Sequence, residues 1–142
     1  MAATSGISNY LEKKVLLWLS GTTFVAAPTN IFLALFAVSP TDGGATVAGT
    51  ETDYASYART SVAAATIFAV APAGIPSAVT SQSTVTCPTA TGNSSAAVVA
   101  WGFFDAASAG NLLCYGPVGT PQSVANGQTP TFNAASLTVT VQ

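Results

Sequence analysis

An antiparallel β-sandwich or jelly-roll-like barrel carrying one N-terminal α-helix is the fold class that this sequence predicts, and three observations predict it. Apolar residues recur at helical spacing in one place, near the N-terminus. Downstream, runs rich in Val, Phe and Thr either alternate apolar with polar or are apolar throughout. Clusters of Gly, Pro and Asn separate these runs by short turns, as in all-β domains.

The helix comes first. Ile7, Tyr10, Leu11, Lys14, Val15, Trp18 and Leu19 follow at three- and four-residue steps, which lays an apolar stripe along one side of a helix over about 8–20. Asn9 followed by Glu12 resembles a capping arrangement, and Gly21 supplies a stop. Next, NIFLALFAV, Asn30 to Val38, is apolar on both alternating faces and so predicts a central strand covered on both sides, with the helix as the cover of one. The small, polar, glycine-containing segment 39–56 predicts a long exposed loop.

Tyr57 to Val70 returns to strand-forming residues, weakened by the alanines Ala63 to Ala65, and APAGIP closes it with a turn. Ser77 to Cys87 alternates as a half-exposed, Ser/Thr-rich strand. Ala96 to Phe104, Leu112 to Val118 and the closing TFNAASLTVTVQ supply the remaining strands. Between the first two of these, Asp105 starts a turn by accepting backbone N–H groups, and Gly110-Asn111 tolerates the positive φ needed to re-enter a strand.

At 142 residues the chain suits one domain, 1–142, with one core. Only 6% of its residues are charged while 49% are hydrophobic, against about 25% charged in an ordinary soluble domain. A membrane span needs about 20 consecutive apolar residues, and no run approaches that. Lys13 and Lys14 before VLLWL imitate a secretory signal, but Ser20, Gly21, Thr22 and Thr23 interrupt the apolar stretch. With three basic residues and a net charge of −2, the chain lacks the cationic footprint of nucleic-acid binding. What remains is a surface of Ala, Ser, Thr and Gly with little mutual repulsion between copies, suited to dense assembly with protein partners.

Chemistry has little to work with. The chain has no histidine, which removes Ser-His-Asp and Cys-His arrangements and His-containing metal sites, and its two cysteines cannot make a Cys₄ zinc site. No catalytic, metal or cofactor residues are expected. Cys87 and Cys114 read as two small buried hydrophobes, or as a disulfide that only the distance between their strands decides. Glu12 sits beside two lysines as a solvated local ion pair. Asp42, Glu51 and Asp53 share the long loop without the acidic spacing of an EF-hand, so a hydrated loop is expected over calcium. Arg59, the one arginine, is expected to tie a loop carboxylate such as Asp53. Trp18, on the helical stripe, reads as core before it reads as a ligand platform. Tyr10, Trp18 and Tyr54 are the aromatic candidates for an interface.

Four segments in order resemble a family of small tailed-bacteriophage virion proteins that are often labelled tail-fibre proteins. They are SNYLEKKVLLWLSGTTFVAAPTNIFLALFAVSPTDGG, with its LF-x-x-x-PTD-x-G ending; YASYART, Tyr54 to Thr60; CPTAT, Cys87 to Thr91; and WGFFDAASAGNLLCYGPV with the later SVANGQTPTF and LTVTV. Thr89 stands where that family often carries a Glu, so a role tied to that carboxylate does not transfer. The resemblance implies a structural virion component. A compact domain without repeats, heptads or a glycine-rich shaft favours a capsid decoration, or cement, protein on the capsid exterior. Such a protein bridges major capsid protein subunits, and a homo-oligomer, a trimer for preference, is expected. A tail or tail-fibre component contacting the host is the alternative. From the residues alone, a carbohydrate-binding module is a further one, if the aromatics gather on one exposed face.

Overall fold

The computed structural model describes residues 5–24, 26–41, 49–70 and 78–140. Along the chain these form β1 (Gly6–Ile7), α1 (Asn9–Leu19), β2 (Asn30–Val38), β3 (Thr50–Glu51), β4 (Thr60–Ala63), α2 (Ala64–Ile67), β5 (Phe68–Val70), β6 (Ala78–Ser81), β7 (Val85–Thr86), β8 (Val98–Phe104), β9 (Leu112–Gln122), β10 (Thr131–Phe132) and β11 (Thr138–Thr140). The protein is mainly β, with antiparallel pairing throughout and a sandwich-like arrangement.

Its main sheet has six strands in the order β1-β9-β8-β2, and the outer edge of β2 is shared by β4 and β3. Three registers fix its centre: Leu33 opposite Phe103 opposite Cys114, Ala34 opposite Gly102 opposite Tyr115, and Leu35 opposite Trp101 opposite Gly116. Because side chains alternate along a strand, these rows split into two faces. Ile31, Leu33, Leu35, Trp101, Phe103 and Cys114 point into the larger core. Val85 of β7 and Val139 of β11 meet them from the smaller sheets, β10-β7 and β11-β6-β5, together with Ile67 of α2 and Leu137 just before β11. Ala34, Phe36, Ala100, Phe104, Leu112 and Tyr115 form a second buried cluster on the opposite face. The apolar run of β2 thus serves two cores, as its lack of alternation predicts.

The helix does not cover either. Helix α1 contains no buried residue and lies against β9, so the expectation that it roofs β2 is not met. Its boundaries nonetheless follow local chemistry. Ser8 caps it by accepting from Leu11 N–H and donates to the Leu112 carbonyl, so the cap is Ser8 in place of the anticipated Asn9. At the other end Gly21 takes φ +91°, with Gly21 N–H bonded to Trp18 O and Thr22 N–H to Leu17 O, the paired bonds of a Schellman stop.

Three other expectations are revised. Tyr57 to Val70 is broken by α2, where the run of alanines forms one helical turn that carries the chain from β4 in the main sheet to β5 in the second. Ser77 to Cys87 divides into β6 and β7, since Ser81 turns inward and accepts from Leu137 N–H. Within the segment read as a loop, Thr50–Glu51 pairs with Phe36 and Val38, and Thr52 N–H reaches Leu35 O at 2.9 Å. Residues 42–48, and the APAGIP turn, lie outside the described residues.

Two glycines make the central packing possible. A Cβ on Gly102 would stand 2.8 Å from Leu112 Cδ1 and 3.2 Å from a Phe36 ring carbon. A Cβ on Gly116 would stand 2.6 Å from the Trp101 indole, whose Nε1 donates to Pro117 O at 3.0 Å. Gly116→Ala is therefore expected to displace a buried indole and cost about 1–3 kcal/mol, as overpacking does. Urea denaturation followed by tryptophan fluorescence checks it, and an unchanged midpoint contradicts the close packing.

Candidate assembly interface

The residues singled out in the sequence fall into two groups, those committed to holding the fold and those left exposed on α1. The Asp105 turn belongs to the first. Asp105 Oδ1 accepts from Asn111 N–H at 2.7 Å and Oδ2 from Asn111 Nδ2 at 2.8 Å, while Asp105 N–H bonds back to Asn111 O. Gly110 sits at φ +73°, and a Cβ there would lie 2.5 Å from Asp105 Oδ1. The structure thus brings Asp105, Gly110 and Asn111 together around one hairpin loop.

Arg59 grips this loop from outside. Its Nη1 donates to the carbonyls of Ala106 at 3.0 Å and Ala109 at 2.7 Å, and its guanidinium carbon lies 3.5 Å from the centre of the Phe104 ring. On its other side Nε and Nη2 reach Glu51 Oε1 at 3.1 and 2.5 Å. Glu51 Oε2 also accepts from the Tyr57 hydroxyl at 2.6 Å, and the Tyr57 hydroxyl oxygen in turn accepts from Leu35 N–H at 3.1 Å. One chain of polar contacts therefore runs from the central strand to the hairpin loop.

The expected Asp53–Arg59 pair is replaced by Glu51–Arg59. Glu51 lies in β3 opposite Phe36, on the face that carries Phe104, whereas the chain leaves the sheet before Asp53. Asp53 is exposed, and hydrogen bonding from Ser95, through its side chain first and then its N–H at 2.8 Å, holds its carboxyl below the usual range.

The remaining family-like segments interlock in the same manner. Tyr54 donates to Pro88 O at 3.1 Å and Ser56 to Thr89 O at 2.6 Å, while Thr91 N–H bonds to Ala55 O. CPTAT is then zipped to ANGQTP through Cys87 N–H to Pro130 O, Ala90 N–H to Gln128 O and Gly127 N–H to Ala90 O. Thr89, at the position where a Glu was looked for, shares a 2.7 Å hydroxyl contact with Thr129. Tyr54 is 1% exposed and cannot serve as an interface residue, contrary to expectation. Trp101 and Tyr115 are also buried and Trp18 lies on α1, so these aromatics do not share an exposed sugar-stacking face. Cys87 and Cys114 are both free and buried, and burial raises their thiols, Cys114 to about 12.

Left outside this knot is α1. Leu16, Trp18 and Leu19 are 65%, 55% and 69% exposed, with Val15, Leu17 and Phe24 more than a third exposed as well. At 100° per residue, five consecutive apolar side chains surround the helix end, and a helix apolar all round belongs inside something. Trp18 is thus not core within its own chain, while Tyr10 is half-buried with the Lys14 ammonium 5.3 Å from its ring centre. A cleft of about 510 Å³ opens elsewhere, between the distal part of β9 and the segment leading to β10, and no charged residue lines it. Among the described residues there is no cluster able to hold a metal ion, and no helix is long and apolar enough to cross a membrane.

A family model described as Podophage GP4 fiber I protein gp80 matches residues 6–140. The chain belongs to this family. It is accordingly a structural protein of a tailed-phage virion. No curated protein matches it. The gp80 match spans β1 to β11, and so includes both the Arg59 knot and α1. Sequence reading missed Glu51 as the partner of Arg59, and the one signal was its place in a short strand-forming TE pair next to a tyrosine-rich motif.

Two outcomes follow for this gp80-family fold. Arg59→Ala leaves Glu51 and two carbonyls without their cation and is expected to cost about 3 kcal/mol. Arg59→Lys stays destabilised because an ammonium cannot replace the planar fork stacked on Phe104; urea midpoints of both variants check this. Tyr54 is pushed up to about 12, by burial first and then by the Cys87 charge, and Tyr57 is raised by burial and then by its bond to Glu51. Both exceed the ordinary value of about 10. The stability they contribute is therefore complete below that pH and declines as pH rises toward 12 and beyond. Tyrosinate absorbance is expected to show these two phenols ionising only above pH 10, as the protein loses stability.

Proposed function

We propose that this chain is a fibre subunit of a podophage particle, seated among other virion proteins through α1. The observation that carries this reading is an apolar helix end left uncovered by its own domain, in a chain whose family is described as a fibre protein. The polar groups of the family-like motifs are spent on internal bonds, so they offer a rigid body in place of a reaction centre. Rigidity and an apolar docking helix are what a structural subunit uses.

A capsid decoration protein on the shell exterior, bridging major capsid protein subunits, is the second reading. It is favoured by the compact sandwich, which shows neither a coiled coil nor a repeating shaft among the described residues. Copy number and position separate the two. Antibody labelling of intact particles at the tail, with a few to a few dozen copies by quantitative mass spectrometry, supports the fibre subunit; hundreds of copies over the head overturn it in favour of decoration. In either position Trp18→Ser with Leu19→Ser is expected to fold normally, since α1 buries nothing, and to fail to enter particles.

A further inference from the structure

The two ends of α1 fix where its apolar surface can project. β1 ends at Ile7, opposite Cys114, and β2 begins at Asn30, two residues before Phe32 opposite Phe104. Both roots of the helical segment therefore lie beside the Asp105–Asn111 loop, at one end of the main sheet. The uncharged cleft is built at the other end. Val118, Gly119 and Gln122 of β9 form one wall, Thr131 and Phe132 of β10 another, and Leu35 and Val98 lie at its base. Strand β9 runs from Leu112, which bonds the helix cap, to Gln122, on the cleft wall. Its partner strand β8 covers the same stretch in six residues, from Phe104 opposite Leu112 to Val98 opposite Gln122, so at about 3.3 Å per residue the helix cap and this wall are roughly 20 Å apart.

We infer that the C-terminal half of α1 in one copy seats in this cleft on the next copy, a head-to-tail contact between identical chains. The inference rests on the reading of α1 as the assembly surface and names its partner. Three observations support that partner. First, the helix end from Val15 to Leu19 and the segment after it to Asn30 carry no charge, and the cleft that would receive them has none either, so no ion is stripped of water. Second, the cleft volume lies within the range of about 300–1,000 Å³ that encloses a compact ligand, suited to a tryptophan with a neighbouring leucine. Third, Trp18 alone offers a side chain of the class that buries about 150–250 Å². Val15, Leu16, Leu17, Leu19 and Phe24 add further exposed apolar surface beside it.

Such a contact joins two different surfaces. It closes into a ring, a trimer among the possibilities, or runs on as a filament, according to the rotation between copies. Two variants test it without disturbing the fold. Trp18→Ser with Leu19→Ser removes the inserted helix end, which is exposed in the free chain. Gly119→Arg sets a long charged side chain on the cleft lining, and a Cβ at Gly119 meets nothing within 4 Å.

Sedimentation of the purified full chain is expected to show species above monomer that grow with concentration. Each variant, melting like the parent, should stay monomeric at a concentration at least tenfold above that at which the parent associates. Mixed in equal amounts, the two variants should form a dimer and nothing larger, because one retains the helix and the other the cleft. Association of Gly119→Arg at parental strength overturns the proposal by showing that α1 packs elsewhere, as does a mixture that stays monomeric. A parent chain that is monomeric and instead sediments with phosphatidylcholine–phosphatidylglycerol vesicles overturns it in favour of a lipid surface. A monomeric parent that still enters particles through α1 ends the copy-to-copy contact and leaves the virion role standing.

Discussion

One cation, largely withdrawn from water, organises the domain. The Arg59 guanidinium, 9% exposed, is satisfied on every side by groups that are far apart in sequence: the Glu51 carboxylate, the ring of Phe104 and the carbonyls of Ala106 and Ala109. Burying a charge costs several kcal/mol unless such partners are all in place. The fold can therefore retain Arg59 only if β3, the end of β8 and the hairpin loop arrive together. The hydroxyl of Tyr57 extends the same network to Leu35 in the central strand. A lysine could not fill this position, since it lacks the fork that serves a carboxylate and two carbonyls while lying flat on an aromatic ring.

That economy of charge has a consequence outside. Two of the chain's eight charged residues are spent on one internal pair. The remaining surface is small and neutral, and such a surface resists association weakly. Helix α1 concentrates what is left to bury. A helix of this length is marginal in water by itself, so its caps at Ser8 and Gly21 and its seat against β9 hold it while its apolar end stays exposed. The domain is thus complete around Arg59 and incomplete at α1.

How much of this was legible in the sequence differs by element, for physical reasons. Asn30 to Val38 was predicted to the residue because a run apolar on both faces has few homes other than a doubly covered strand. The helix was placed to within one residue at each end, because Ser8 and Gly21 act locally. What faced the helix was not legible, since an apolar stripe reports a need for burial and says nothing about whose surface supplies it. Tyr54 and Trp18 show the limit plainly: alike as isolated aromatics, one is core and the other exposed. Arg59 was matched to the wrong carboxylate because the deciding feature is a two-residue strand, too short for periodicity to show. The Asp105 turn was readable because Asp, Gly and Asn each do their work within seven residues of chain.

Hydrogen exchange compares the Arg59 knot with α1 directly, because amide protection reports local stability segment by segment. Measured by mass spectrometry on the free chain and on intact particles, β3 and the β8–β9 hairpin should exchange slowly in both, since their bonds are internal. Amides of α1 should exchange quickly in the free chain and slowly in the particle. Equal exchange of α1 in the two states would contradict the claim that a self-sufficient domain, locked by Arg59, presents an unfinished helix for its neighbours to complete.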